Sequence, residues 1–126
     1  MTNFDTPMDF QVEKDFGNHK LKYINLTEIC QGGPEIGNIT IDNKVIPSAF
    51  FGGPAISEDD FLYIPIFEKA FFKRGFKICR INLQTLETIT FGKIKDIIFF
   101  DKIENNVIYY YEDLNRNKKS IYTLLE

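Results

Sequence analysis

Phe76-Lys77-Ile78-Cys79-Arg80-Ile81-Asn82-Leu83, followed after Gln84-Thr85 by Leu86-Glu87-Thr88-Ile89-Thr90-Phe91, is the stretch that decides the fold. Two runs rich in β-branched and aromatic residues flank a polar dipeptide. This is the pattern of an antiparallel hairpin: Phe76 to Leu83 as one strand, a turn at Gln84-Thr85, and Leu86 to Phe91 as the return.

Towards the C-terminus the pattern repeats. Ile94 to Ile103 reads as a strand turned at Asn105-Asn106, a pair that tolerates positive φ in a tight hairpin. Val107 to Tyr111 returns, Asp113 to Lys119 is a polar loop, and Ile121 to Leu125 closes the chain. Towards the N-terminus, Phe61 to Phe67 shows period two: Leu62, Ile64 and Ile66 on one face, Phe61, Tyr63 and Phe67 on the other. Pro65 sits inside this run and donates nothing to a ladder, so the strand is expected at a sheet edge or at a bulge. Gly32-Gly33-Pro34 and Gly52-Gly53-Pro54 each precede a strand and read as structural corners. A phosphate loop needs a Lys and a Ser or Thr after its glycines, and neither copy has them. Phe10 to Phe16 alternates, Gly17-Asn18-His19 turns, and residues 20–29 return with a change of parity between Tyr23 and Leu26, the mark of a bulge or a short helical turn. The outer hairpin of a β-propeller blade resembles residues 76–91, but the chain is too short to close a propeller.

These readings predict an all-β fold. It is a single antiparallel meander domain over 1–126, a sandwich or half-open barrel of about eight to ten strands with little helix and a loose segment at 1–7. Composition agrees, with 13 Phe and 6 Tyr, and Ile and Phe outweighing Ala and Leu. In four aromatic clusters, Phe50-Phe51, Phe71-Phe72, Phe99-Phe100 and Tyr109-Tyr110-Tyr111, neighbours point to opposite faces of a strand. Either both faces of the sheet are covered or an aromatic surface meets solvent.

Charge is uneven. Residues 1–68 carry eleven acids and four bases, residues 69–126 seven acids and eleven bases. A polar partner surface follows if the sheet keeps the halves apart, and cancellation follows if it interleaves them.

The chemical inventory excludes much. One histidine, His19, in a turn, and no Gly-x-Ser-x-Gly argue against a nucleophilic triad. Glu58-Asp59-Asp60 lacks the spacing of a calcium loop. Cys30 and Cys79 read as two small buried thiols. No enzymatic activity, cofactor or metal is expected. Phe71-Phe72-Lys73-Arg74-Gly75-Phe76-Lys77 interleaves bases with aromatics, but Lys77 and Ile78 depart from the RNA-recognition consensus, so it reads as a hairpin turned at Lys73-Arg74-Gly75 and nucleic acid is not expected. Nor is a membrane partner, since no stretch approaches the length of a span and the N-terminus lacks a secretory pattern; the expected location is cytoplasmic.

What is left is a binding module. A Lys/Asn/Ile/Phe-rich chain of this length, acidic on balance and with aromatics beside acids, resembles the immunity proteins of bacterial toxin–immunity systems of the contact-dependent growth inhibition type. That resemblance implies a protein partner: a toxin domain, for instance a nuclease with a basic face, neutralised by masking its active or substrate-binding site. The face expected to do this is Glu58, Asp59, Asp60 and Glu68, with Phe61 and Tyr63 as anchors and Glu112 and Asp113 as a second choice. The alternative is a small-molecule or lipid carrier built as a closed barrel with an aromatic interior.

Overall fold

The computed structural model describes residues 5–124, apart from the side chain of Ser48. Among these it contains eleven strands and no helix. They are β1 (Glu13–Phe16), β2 (His19–Glu28), β3 (Glu35–Ile41), β4 (Lys44–Phe51), β5 (Ile56–Glu58), β6 (Phe61–Ala70), β7 (Lys73–Asn82), β8 (Thr88–Lys95), β9 (Phe99–Glu104), β10 (Val107–Tyr111) and β11 (Lys119–Thr123). All pairings are antiparallel. An eight-stranded sheet runs β1-β2-β3-β4-β6-β7-β8 with β5 also on β6, and a three-stranded sheet runs β11-β10-β9. The expected meander is present with one strand more than the upper count, and it does not close into a barrel. That open architecture removes the closed-barrel basis for a carrier.

Two cores explain the aromatic doublets. The first takes Leu21, Tyr23, Ile39, Ile41, Phe51, Leu62, Ile64 and Cys79 from one face of the large sheet, joined by Phe10, Ala55 and Leu83 from outside the strands, so that sheet curls over its own side chains. The second lies on the opposite face, where Tyr63, Phe76 and Ile78 meet Ile98, Phe100, Ile108 and Tyr110 from the small sheet and its approach. Successive residues of β6 therefore alternate between two buried environments. Each buried aliphatic or aromatic side chain contributes about 1.5–3 kcal/mol of transfer free energy.

β6 is a central strand, which corrects the expectation of an edge at Pro65. β7 pairs along its whole length, from Phe61↔Asn82 to Ala70↔Lys73. Its other side is shared: β4 pairs at Phe50↔Phe67 and Phe51↔Ile66, and β5 at Ile56↔Tyr63 through Glu58↔Phe61. Pro65 stands where β4 has ended and β5 has not begun. Its carbonyl accepts from Gly52 N–H at 2.8 Å, and in an antiparallel ladder a residue's N–H side is its carbonyl side. The missing donor thus faces the gap rather than β7.

The Gly-Gly-Pro copies are corners, as read. The second crosses over the first core, and a Cβ on Gly53 would come within 2.9 Å of the Phe10 ring and the Tyr23 hydroxyl. That hydroxyl donates to the Gly52 carbonyl at 2.6 Å. The parity change in β2 is a bulge: Asn25 takes φ 56° and the register with β3 shifts between Ile24 and Thr27. Asn105 and Asn106 both take positive φ in the β9–β10 turn. The expected strand Ile94 to Ile103 is instead two strands, because the chain leaves the large sheet after Lys95 and enters the small one at Phe99. Of the segment expected to be loose, residues 1–4 lie outside the described residues, whereas Pro7 is buried and its carbonyl accepts from Glu35 N–H at 3.1 Å.

Candidate functional site

The β6–β7 hairpin is the longest ladder in the molecule, and its two ends differ in chemistry. Nine steps separate Phe61 from Ala70, about 30 Å at ~3.3 Å per residue.

At one end, β5 turns into β6 through Asp59 and Asp60. Asp59 takes φ 56°, a conformation Asp tolerates, and the Asp60 carbonyl accepts from Leu83 N–H at 2.8 Å. Asp59 and Asp60 are exposed and Glu58 is half-buried. Among the described residues none of the three forms an ion pair. Phe61 follows, half-buried, with the Arg80 guanidinium 4.6 Å from its ring centroid and 5.3 Å from that of Phe91. Arg80 is thus held over aromatic faces beside the acids.

The remaining expected contact residues are placed elsewhere. Tyr63 is 2 % exposed in the second core, so it is a core group and not a surface anchor; burial raises its pKa. Glu68 is at the other end of β6, paired with Lys77 at 3.6 Å. Glu112 joins the two sheets. It accepts from the Ser120 hydroxyl and meets Lys95 at 3.3 Å and Lys118 at 3.6 Å; the Ser120 bond and these two ammonium groups outweigh its burial and hold its carboxyl below the ordinary range. Asp113 organises the β10–β11 loop by accepting from Asn117 and Lys118 N–H groups at 3.0 and 2.9 Å. The fold therefore brings together Glu58, Asp59, Asp60 and Phe61 at one end of β6, buries Tyr63, and engages Glu68 and Glu112 in ion pairs and Asp113 in loop hydrogen bonds.

The other end of the hairpin was missed as a site. The turn is Phe71-Phe72, two residues earlier than Lys73-Arg74-Gly75. Gly75 is needed inside the strand, because a Cβ there would collide with the Lys95 carbonyl. Phe71 and Phe72 are 90 % and 92 % exposed, their rings edge to face at 4.4 Å. β4 pairs with β6 only as far as Phe67 and β8 with β7 only as far as Phe76, with Gly75 still against the Lys95 backbone, so residues 68–74 form a two-stranded finger. Lys69, Lys73 and Arg74 are exposed on it, and the Arg74 guanidinium also donates to the Ile29 carbonyl at 3.5 Å. The signal was present in the sequence as two aromatics between runs of bases, but a glycine nearby drew the turn to itself.

Among the described residues no group of three or more His, Cys, Asp or Glu side chains is arranged to hold a metal ion. Cys79 is buried and its thiol is pushed up to about 12 by desolvation, whereas Cys30, expected buried, is exposed. No helix among the described residues is long and apolar enough to cross a membrane. Comparison with protein-family models, curated proteins and solved structures found no match to the chain.

Proposed function

We propose that the chain is a protein-binding module of the immunity kind, which masks a basic toxin surface with the turn Glu58-Asp59-Asp60. One observation supports this reading. Of the acids expected to form a contact face, Asp59 and Asp60 alone combine exposure with freedom from ion pairs among the described residues, and with the half-buried, likewise unpaired Glu58 they stand at the extremity of the longest ladder. Unpaired carboxylates on a fixed turn steer a basic partner at long range, and the half-buried Phe61 beside them supplies apolar contact area. A rigid sheet end keeps the loss of conformational freedom on binding small.

The test is the association rate with a candidate toxin domain, to be sought first among the products of the neighbouring genes. Replacing Glu58 and Asp60 by lysine and Asp59 by asparagine, which keeps its positive φ unstrained, is expected to slow association by at least tenfold at low ionic strength and by less at high, because exposed charges are screened. Thermal unfolding of the variant should match the parent. Equal association rates at every salt concentration would refute the acidic-turn reading.

A further inference from the structure

The finger at the opposite end of the hairpin requires its own explanation, and neither folding nor turn chemistry provides one. Two-residue hairpin loops favour Asn, Asp and Gly, whose backbones accept positive φ; Phe71 and Phe72 are neither of that kind nor in that conformation. They bury nothing in the domain, since each ring is nine-tenths or more exposed. Exposed contiguous aromatic surface of this sort marks an interaction site.

The surroundings say what kind. Residues 68–77 hold four bases, Lys69, Lys73, Arg74 and Lys77, against one acid, Glu68, and that acid is taken by Lys77. Lys73 pairs with Ala70 directly behind the rings, and Lys69 with Arg74 one step further back. The cationic groups thus form a collar set about 3–7 Å behind an apolar tip at ~3.3 Å per residue. An interfacially bound element has this layering: apolar groups about 5–10 Å into the boundary of headgroups and acyl chains, bases level with anionic headgroups. The tip is convex, and a bilayer yields to a convex tip without a preformed pocket. The free acids Glu58, Asp59 and Asp60 lie about 30 Å away along the same ladder, beyond the screening length and so out of the repulsive field of an anionic surface.

We infer that the β6–β7 finger docks the protein peripherally on anionic lipid bilayers, with Phe71 and Phe72 entering the interface and Lys69, Lys73 and Arg74 on the headgroups. No membrane span is needed, and the inference stands independently of the acidic-turn reading. Docked in this way, the domain holds its hairpin upright, with the acidic turn pointing away from the membrane.

The experiment is co-sedimentation of the full chain with vesicles of phosphatidylcholine alone and with about 30 % phosphatidylserine. Binding is expected to the anionic vesicles, falling as salt rises. Each base contributes about a fivefold change in partitioning near an anionic surface, so Lys69, Lys73 and Arg74 together replaced by glutamate should abolish it. Phe71 and Phe72 both replaced by serine should weaken it at least tenfold with no change in thermal unfolding. Absence of binding by the parent, or unchanged binding by the serine variant, would overturn the proposal. So would a parent that ignores vesicles but retains a labelled single-stranded oligonucleotide through the same bases, or a serine variant that loses only the toxin complex.

Discussion

One hairpin contains both fully buried apolar side chains and, among the described residues, the most exposed ones. Between Leu62 and Ile66, β6 is enclosed on both faces, while four residues after Phe67 the same ladder ends in two rings that meet only each other and solvent. The finger adds charged residues that the enclosed stretch lacks, but large apolar side chains stand in both regions, and for these what differs is covering. Inside, the curled large sheet covers one face and the small sheet the other. Outside, β4 and β8 have stopped pairing, so period-two alternation places side chains on two wet faces. Hydrophobicity along a strand is therefore evidence of a core only where neighbouring strands extend as far.

Substitutions measure that difference. The largest effect is expected for Ile64→Ala, which opens a cavity in the first core: about 2–5 kcal/mol in urea unfolding, with an unchanged slope. Tyr23→Phe comes next, at about 1–3 kcal/mol, because it strands the buried Gly52 carbonyl that the hydroxyl satisfies. Acid titration should show a smaller, directional effect. The Glu112 pKa is lowered in the fold, so its contribution is complete above the unfolded carboxyl value of about 4.3 and is lost as pH falls through the folded one. Glu112→Gln should flatten the decline of melting temperature below pH ~4.3 relative to the parent. The smallest effect belongs to Phe71→Ala, within about 0.5 kcal/mol, since the side chain touches no core. If Phe71→Ala destabilised as much as Ile64→Ala, the two regions of the hairpin would not be distinct.

The all-β meander was legible because period-two runs and turn pairs such as Asn105-Asn106 are local signals, and a local change of parity marked β2 as bulged or helically turned, which its register with β3 resolves as a bulge. The two faces of β6 were legible as patterns, but which partner covers each face is a tertiary matter. Pro65 illustrates the limit. Its lack of a donor correctly demands an unpaired side, but only the handover from β4 to β5 shows that an interior strand has such a side. Of the candidate site, the acidic turn beside Phe61 was legible as a turn because its residues and charges are adjacent in sequence. Tyr63 was misplaced because an aromatic face says nothing about whether a second sheet lies over it. The finger was overlooked because Gly75 looked like a turn residue, whereas it is there to admit the Lys95 backbone.

The small sheet has a separate consequence. Its strands pair only among themselves, and it is joined to the large sheet through side chains of the second core and the Glu112–Lys95 contact rather than through a shared ladder. Such a unit opens as a cooperative flap before the remainder unfolds. Amide hydrogen exchange should then show β9, β10 and β11 losing protection together, at a lower opening free energy than β6 and β7, with Tyr63 and Phe76 transiently uncovered each time the flap lifts.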